Sequence, residues 1–307
     1  MQATKLPRPK VPSLDRLLGV PFKVLDDGFI RVIDYMGSDA SIVQAARVSY
    51  GQGTKKINED RGLIRYLMRH NHSTPFEMCE IKLHIRVPMD CWRQWIRHRT
   101  ANVNEYSTRY SIAIDSAQKT EPANWREQTM GNRQGSAGTV AEEIGTQFTQ
   151  KEAAFQKQSR DLYEERLSAG IAREQARKDL PLSTYTEAYW KIDLHNLFHF
   201  LALRMEAHAQ FEIRAYADII GNEIVKRWCP LAWEGFLDYR FNAVSFSAIE
   251  TEIMKKVAKG DSEGARKLAI SFGLLSKEYP KENAQKANRE REELTEKLLR
   301  FNLPVPW

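Results

Sequence analysis

The sequence has little cysteine and no long apolar run. Its 307 residues include 3 cysteines, Cys79, Cys91 and Cys229, which form no CxxC pair. An odd count without paired spacing argues against a disulfide framework and against a cysteine-rich zinc site, so we expect each thiol to be a small buried hydrophobe. No stretch approaches the roughly 18 apolar residues of a membrane span, and the basic residues 1–17 lack the apolar core of a signal peptide. These absences predict a cytoplasmic protein.

The sequence also lacks the glycine-rich motifs that usually bind phosphates. It contains neither a Walker loop nor a GxGxxG turn, so the common devices for ATP and for a Rossmann dinucleotide site are missing. A nucleotide cofactor would have to be held by side chains and helix ends.

Composition describes an ordinary globular chain. Hydrophobic residues make up 42% and charged residues 28%, which excludes a disordered protein. The length allows one large domain or two small ones. A formal net charge of +6 and a pI near 9.1 suit either anionic small substrates or nucleic acid, so charge alone does not decide between them.

The first 70 residues predict an arm, a hairpin and two helices. Residues 1–20 carry three prolines among charges and predict an arm without regular structure. Residues 22–25 and 29–35 flank an Asp-Asp-Gly turn and predict a β-hairpin. Apolar residues at helical spacing predict helices over 41–48 and 59–69.

The next segments predict a strand, a helix and a long loop. Residues 79–87 alternate apolar and polar at period two, which is typical of a half-buried strand. Residues 90–98 predict a short helix with Trp92, Trp95 and Ile96 facing inward. Residues 116–138 are rich in Gly, Gln, Asn and Thr and predict a flexible excursion.

Two helices around a strand are predicted further along the chain. Residues 139–169 predict a helix that Gly170 ends, and residues 182–192 predict a strand. Asp193 is a candidate N-cap for one long helix over 194–228. The residues predicted to face inward on the first helix are Val140, Ile144, Phe148 and Phe155.

The C-terminal part changes character. Residues 246–300 are charge-rich and are broken by Gly260 and Pro280, which predicts two or three amphipathic helices. No motif in this segment indicates a chemistry.

The segment from Arg97 to Tyr110 concentrates three guanidinium groups, an imidazole and a carboxylate, together with carboxamide and hydroxyl groups. Arginine offers a rigid fork of donors that matches phosphate oxygens, while Asn, Glu and Ser can contact the polar edge of a ring. The segment therefore suits a phosphorylated small molecule, and the alternative is a solvated basic face.

The order of these residues resembles the signature R-H-R-x-x-S-x-N-E-x-S-x-R of the flavin-dependent thymidylate synthases, with Asn102 where that signature usually has Ser. Residues 45–49 and 72–77 resemble the flavin-side segments of the family. Residues 176–181 and 203–210 resemble its nucleotide-side half. The similarity runs from about residue 42 to residue 239.

The resemblance implies a fold and a reaction. It implies a single α+β domain of helices and antiparallel-type sheet over 21–240, preceded by the arm 1–20 and followed by a helical extension over 241–307. The implied reaction methylates dUMP to dTMP with methylenetetrahydrofolate as one-carbon donor, NADPH as reductant and FAD as cofactor. A homotetramer with FAD at its subunit contacts is implied as well, and no metal ion is expected.

The resemblance also implies site residues. Arg204 matches the catalytic position against the uracil ring, where a fixed positive charge stabilises negative charge developing on N3 and O4. Asp193 suits a helix N-cap, although a carboxylate close to a pyrophosphate is unfavourable. The matched cofactor positions are Ser49, His72, Thr74, Glu77, Arg97, His98, Arg99, Asn104, Glu105, Asp193, His195 and His199. The matched dUMP positions are Gln94, Arg97, Glu105, Ser107, Thr108, Arg109, Arg177 and Arg204.

Two other classes of function stay open at this stage. Trp92, Trp95 and Tyr106 among arginines could bind single-stranded nucleic acid by stacking and phosphate contact. His195 and His199 have the spacing with which two imidazoles can share a metal, and with His208 they suggest a metal-dependent hydrolase, although the glutamate of a zincin helix is missing. A pair of hydrogen-bonded histidines at a partly buried helix start is the simpler alternative.

Overall fold

The computed structural model describes residues 8–48, 57–129, 135–278 and 288–307. They form two compact units, of which the first ends at Phe241 and the second runs from Asn242 to Trp307. Each unit has its own apolar core.

An antiparallel five-stranded sheet organises the first unit in the order β1-β2-β3-β7-β4. Its register places Leu83 of β3 opposite Val32 of β2 and Trp190 of β7. A two-stranded sheet pairs β5 with β6. The strands are β1 (Phe22–Val24), β2 (Gly28–Met36), β3 (Glu80–Pro88), β4 (Asn102–Glu105), β5 (Arg126–Gln128), β6 (Ser136–Thr139) and β7 (Tyr185–Asp193).

The predicted hairpin is confirmed by the pairing of β1 with β2. Gly28 is the first residue of the second strand. Glycine is required there because a Cβ would clash with the hydroxyl of Tyr216 and the carbonyl of Val24. Strand β3 is confirmed too, and its alternation is the reason that Ile81 and Leu83 are buried on one face. The α+β class is therefore confirmed.

Helices cover one face of the sheet and surround its ends. Those of the first unit are α1 (Pro12–Asp15), α2 (Asp39–Val48), α3 (Ile57–Arg69), α4 (Thr74–Glu77), α5 (Met89–Trp95), α6 (Glu142–Ser168), α7 (Arg173–Ala176), α8 (Leu194–Arg204), α9 (Phe211–Ile219), α10 (Lys226–Trp228) and α11 (Pro230–Phe236). Short 3₁₀ turns lie at Pro122–Asn124 and Arg177–Asp179, and π-helical segments at Ile220–Val225 and Leu237–Phe241.

An aromatic cluster fixes α5 and α8 against the sheet. Trp95 of α5 packs at 5.2 Å from Trp190 of β7 and 4.9 Å from Phe200 of α8, measured between ring centroids. All three rings are fully buried. Replacing such a ring with alanine typically costs about 3–5 kcal/mol, so this cluster holds the residues that follow α5 and α8 in fixed positions. The prediction that Ile96 also faces inward is wrong, because the helix ends at Trp95 and Ile96 is 41% exposed.

The prediction of an unstructured arm is wrong from Val11 onward. Val11 and Leu14 are buried in the core, and α1 begins directly after Val11 and contains Leu14. The backbone N–H of Val11 donates to the hydroxyl of Tyr35 at 2.7 Å. Apolar burial and this hydrogen bond outweigh the turn-forming tendency of the prolines.

The prediction of one helix over 194–228 is wrong as well. The helix ends at Arg204, and α9 begins only at Phe211. No glycine or proline marks the break. The side chain of Gln210 instead accepts a hydrogen bond from Gln94 and donates to Asp90 at 3.2 Å, so tertiary contacts stop the helix where local propensity would continue it.

Helix α6 forms as predicted, but the side chains that were predicted to face inward on it are exposed. Ile144 and Phe148 are each 46% exposed and Phe155 is 59% exposed. A different face of α6 packs on its own chain, because Tyr163 accepts a hydrogen bond from the backbone of Ala113 at 2.9 Å. Val140 precedes the helix and is half-buried.

The flexible excursion predicted over 116–138 contains regular structure. The 3₁₀ turn Pro122–Asn124 and the paired strands β5 and β6 lie within it. The indole N–H of Trp125 donates to Thr149 of α6 at 3.0 Å, which ties the excursion to that helix.

The described residues of the second unit form three helices, which confirms the prediction of two or three helices for the C-terminal segment. Ser247 and Glu250 form a capping box at the first helix, and Asp261 caps the second by accepting from Gly264 at 2.8 Å. Leu294 of the third helix is fully buried in the core of this unit. The helices are α12 (Ala248–Val257), α13 (Ser262–Ser271) and α14 (Arg289–Arg300).

Candidate active site

One candidate site is a cleft of about 340 Å³ at α8, here called the histidine cleft. Its floor is aromatic, because the stacked rings of Phe198 and Phe236 lie 4.7 Å apart and Phe76 packs beside them. The polar side chains at this cleft are His72, Ser73, Thr100, His195, Asn196, His199 and Arg240.

The histidine cleft forms because α8 begins where strand β7 ends. Asp193 caps the helix and accepts hydrogen bonds from the backbone N–H of Asn196 at 2.9 Å and from its side chain at 2.7 Å. This confirms Asp193 as an N-cap. It fixes the first turn, which presents His195, Asn196 and His199 to the cleft.

A second cleft of about 610 Å³ lies at the turn that follows β4 and is here called the arginine cleft. It brings together four of the residues that match dUMP positions. Two further charged side chains at this cleft are Glu174 and Lys178. The matched residues are Glu105, Ser107, Thr108 and Arg177.

Local hydrogen bonds shape the arginine cleft. Ser107 begins a turn in which its hydroxyl accepts from the backbone N–H of Arg109 at 3.3 Å. Arg177 donates to the hydroxyl of Thr108, and Thr186 donates to the carboxylate of Glu105 at 2.9 Å. One end of the cleft is thus cationic and the other carries a fixed carboxylate.

Arg109 lies at the rim of this turn. Its guanidinium is 3.5 Å from the carboxylate of Glu174, and both side chains are more than half exposed. An exposed pair of this kind contributes little, so Arg109 can exchange Glu174 for an anionic ligand at small cost.

Arg204 does not line the arginine cleft of its own chain. Its Nε donates to Nε2 of His98 at 3.1 Å. Burial, followed by the neighbouring charges of Arg204 and His199, lowers the pKa of His98 to about 4. His98 is therefore neutral at pH 7 and acts as the acceptor that orients Arg204, whose own pKa burial lowers.

The remaining matched residues are spread around these two clefts. Thr74 and Glu77 belong to the short helix α4, next to Ser73 of the histidine cleft, and Gln94 bonds to Gln210 at the end of α5. Ser49 lies outside the described residues. Three exposed residues line neither cleft and follow α5 or lie on β4, namely Arg97, Arg99 and Asn104.

The arginine-rich segment connects the two clefts. Thr100 lines the histidine cleft and Glu105, only five residues later, lines the arginine cleft. Between them, Asn102 begins β4, the edge strand that pairs with β7. Arg97 and Arg99 are exposed at the start of this path and form no ion pair with the described residues.

Some residues at the clefts were not predicted from the sequence. Thr100 and Asn196 lie within or beside matched segments, so the signature could have identified them. Lys178 follows Arg177 and could have been found by its charge. Arg240 follows the last helix of the first unit and has no local motif that connects it to His195.

The structure weakens both other classes of function. Trp92 and Trp95 are fully buried, which leaves only Tyr106 of the three proposed stacking residues at the surface. Exposed His208 pairs with Glu206 at 2.7 Å. Within the described ranges, no group of three or more His, Cys, Asp or Glu side chains is arranged to hold a metal ion, and no helix has the length and apolarity to cross a membrane.

The three cysteines are free and fully buried, as predicted. Burial raises the pKa of Cys91 and of Cys229 well above the ordinary range of a thiol. Cys91 and Cys229 are therefore neither exposed nor ionised, and Cys79 is fully buried, so none of the three is placed as an exposed nucleophile.

Replacing Cys79, Cys91 or Cys229 singly with alanine is expected to leave turnover of the folded protein intact. The small cavity that each replacement creates should lower the free energy of unfolding by about 1–2 kcal/mol. Thermal melting and dTMP formation would be measured for each variant. Loss of turnover in a variant that stays folded and binds flavin would contradict the expectation.

Known proteins resemble this chain over most of its length. A family model described as "Thymidylate synthase complementing protein" matches residues 31–231. A flavin-dependent thymidylate synthase of Wolbachia pipientis wMel is 49% identical over 261 residues, which are 85% of this chain and 91% of that relative. One from Gluconobacter oxydans (strain 621H) is 50% identical over 258 residues, covering 83% of this chain and 85% of the relative.

A solved structure is similar as well. The UMP/dUMP methylase PolB from Streptomyces cacaoi, bound with 5-Br dUMP, superposes with a TM-score of 0.64 at 29% identity, covering 72% of this chain and 99% of PolB. Fold and site define an α+β protein with an arginine cleft suited to an anionic nucleotide and a second cleft with an aromatic floor. The chain belongs to the flavin-dependent thymidylate synthase family.

Proposed function

We propose that the protein methylates dUMP to dTMP, with methylenetetrahydrofolate as one-carbon donor, NADPH as reductant and FAD as cofactor. The observation that carries this proposal is the arginine-rich signature, which runs from the histidine cleft to the arginine cleft in a chain of this family. The first structural unit is the catalytic domain, and the second is an extension to it. The free thiols of the chain suit the reducing cytoplasm.

The arginine cleft binds the nucleotide. The turn at Ser107 offers a hydroxyl and the backbone N–H of Thr108, and Arg177 adds a guanidinium beside them. Arg109 releases Glu174 to pair with the phosphate, since charge-assisted contacts to phosphate are stronger than the exposed ion pair. The set of nucleotide contacts is completed by Gln94, Arg97 and Glu105.

Arg204 activates the uracil ring. Its charge, oriented by neutral His98, stabilises the negative charge that develops on N3 and O4 as C5 becomes nucleophilic. Because Arg204 does not line the arginine cleft of its own chain, we place the ring where subunits meet. This arrangement agrees with the homotetramer that the resemblance implies.

The histidine cleft fits part of a flavin. Phe198 and Phe236 provide a stacking floor, and three histidines with Asn196 provide donors and acceptors at its edge. These residues would hold a flavin, which in its reduced form would supply the hydride that completes the methyl group, so no thiolate would be required. The residues proposed to hold it are Ser49, His72, Thr74, Glu77, Arg97, His98, Arg99, Asn104, Glu105, Asp193, His195 and His199.

The volume of the histidine cleft supports a shared site. About 340 Å³ is near the lower end of small-molecule pockets, while a flavin dinucleotide is larger than a typical ligand of that size class. A second subunit would complete the site. Exposed Arg97 and Arg99 are available for such a contact.

Purified protein is expected to take up FAD and to oxidise NADPH, faster when dUMP is present. The visible spectrum after FAD addition, the NADPH absorbance and the dTMP formed would be measured together. A matched control is Arg289→Ala in the exposed part of α14, which should behave as wild type. A protein that neither takes up FAD nor consumes NADPH would refute the proposed function.

The exposed stripe of α6 is expected to form a subunit contact. Four large apolar side chains follow one face of this helix at spacings of four and seven residues, and a water-exposed apolar face of this kind is typical of an interface. They are Ile144, Phe148, Phe155 and Leu162.

Charge on this stripe should break the assembly. Introducing Phe148→Glu together with Phe155→Glu is expected to reduce a tetramer to smaller species, as measured by sedimentation. Gln150→Glu, an exposed position on another face of α6, is the matched control. Unchanged sedimentation of the double variant would rule out this helix face as an interface.

A further inference from the structure

Arg240 is a residue of the histidine cleft that the family signature does not include. It lies in the π-helical segment Leu237–Phe241, directly after α11, and its position is beyond the residues 31–231 that match the family model. Single π-helical turns within helical regions frequently occur at functional sites.

The π-helical segment is fixed on the side away from the cleft. Asp238 pairs with Arg65 at 2.7 Å, and the ring of Tyr239 lies 4.7 Å from the guanidinium carbon of Arg65 and 5.4 Å from that of Arg69. These contacts join the segment to α3.

Phe236 anchors the other side by stacking on Phe198 within the cleft floor. Arg240 takes no part in the contacts that Asp238 and Tyr239 make with Arg65. It lines the histidine cleft instead, together with His72, Asn196 and His199.

The charge balance of the cleft favours an anion. Among the described residues that line it there are three histidines and one arginine but no carboxylate. Arg240 is exposed and has neither an ion pair nor a hydrogen bond with the described part of the chain. Nearby Arg61 and Arg65, in contrast, both contact the carboxylate of Glu234. Exposed Arg240 is therefore available to bind an anionic ligand in the cleft.

We propose that Arg240 binds a phosphate of the flavin dinucleotide in the histidine cleft. The inference rests on the proposed function and adds a residue to its cofactor site. A guanidinium presents several donors in a plane that matches two phosphate oxygens, and it stays charged at every physiological pH. Among the described residues that line the cleft, Arg240 is the one guanidinium, and the other polar groups are imidazoles, hydroxyls and an amide.

The test compares three probes on the full-length protein. FAD, riboflavin and ADP would be titrated into wild type, Arg240→Gln and Arg240→Lys, with flavin fluorescence for the first two and calorimetry for ADP. Arg240→Gln is expected to weaken FAD and ADP by roughly ten- to a hundredfold while riboflavin stays within about twofold, and lysine should recover part of the loss. Arg16→Gln, an exposed arginine outside the clefts, is the matched control.

Four results would bear on the assignment. Unchanged affinity of Arg240→Gln for FAD and ADP would overturn it. An equal loss for riboflavin would overturn it too, because Arg240 would then shape the cleft rather than bind phosphate. A raised KM for methylenetetrahydrofolate with normal FAD affinity would reassign Arg240 to the folate carboxylates. Wild type that binds ADP but no flavin would refute the proposed function, and a loss of ADP binding in the variant would still support the phosphate contact.

Discussion

Arg204→Ala is expected to lower the rate of dTMP formation at saturating dUMP by on the order of 10²–10³-fold, the usual effect of removing one donor from a site of developing negative charge. The charge of Arg204 matters more as the ring becomes anionic than when the substrate binds, so the loss should fall on the chemical step. Single-turnover dTMP formation and dUMP binding would be measured separately. FAD content should remain close to that of wild type.

Two further variants sharpen this test. Leu203→Ala changes the preceding, half-exposed residue of α8 and should leave the rate unchanged. Arg204→Lys keeps the charge but loses the Nε–H group that donates a hydrogen bond to His98, so an intermediate rate is expected. Weakened dUMP binding with an unchanged single-turnover rate in Arg204→Ala would show that Arg204 only binds substrate.

The contact between Arg204 and His98 also has a pH window. Folding lowers the pKa of His98 from its ordinary value of about 6.5 to about 4, chiefly by burial. The contribution of neutral His98 to stability is therefore fully present above pH 6.5 and is lost as the pH falls toward 4. Protonated His98 can no longer accept a hydrogen bond from Arg204. His98 therefore orients the guanidinium only at pH values at which its imidazole is neutral.

Local signals predicted those parts of the fold that local physics determines. Period-two alternation identified β3, and the Asp-Asp-Gly turn identified the hairpin of β1 and β2. Asp193 was recognised as an N-cap because capping requires only the residue itself and the backbone three positions later. The caps and apolar spacing of the C-terminal helices are local in the same way.

Long-range contacts determined the parts that were predicted wrongly. The break after Arg204 depends on Gln94 and Asp90, which are more than a hundred residues from Gln210 in sequence. One face of helix α6 packs within its own chain, and another apolar face is exposed. The spacing of apolar residues does not distinguish these two faces. Periodicity reports that a face is apolar but not what covers it.

Some residues of the candidate site follow from local sequence motifs, and others depend on tertiary packing. The structure brings Ser107, Thr108 and Arg177, which the signature and the downstream resemblance matched, to one cleft because two short segments hold them. Arg240 reaches the histidine cleft through the packing of α11 on α3 and the stacking of Phe236 on Phe198 of α8, so no local motif identifies it. The separation of Arg204 from the arginine cleft likewise depends on tertiary structure.

Arg177→Ala is expected to weaken dUMP binding by about 1.5–3 kcal/mol, on the order of ten- to a hundredfold, while bound substrate still reacts. The guanidinium of Arg177 contacts the hydroxyl of Thr108 in the turn that Ser107 begins. Loss of this guanidinium removes a charged donor and leaves Thr108 without that contact. A phosphate contact made equally in substrate and transition state changes binding and not the chemical step.

Deoxyuridine identifies which group of the nucleotide Arg177 contacts. Wild type should bind dUMP much more tightly than deoxyuridine. In Arg177→Ala this preference should fall by roughly the same factor as the dUMP affinity, because deoxyuridine has no phosphate for Arg177 to contact. Arg177→Lys should recover part of the preference through charge alone. If Arg177→Ala weakened deoxyuridine as much as dUMP, Arg177 would contact the ring or sugar, and the phosphate would have to lie at another part of the arginine cleft.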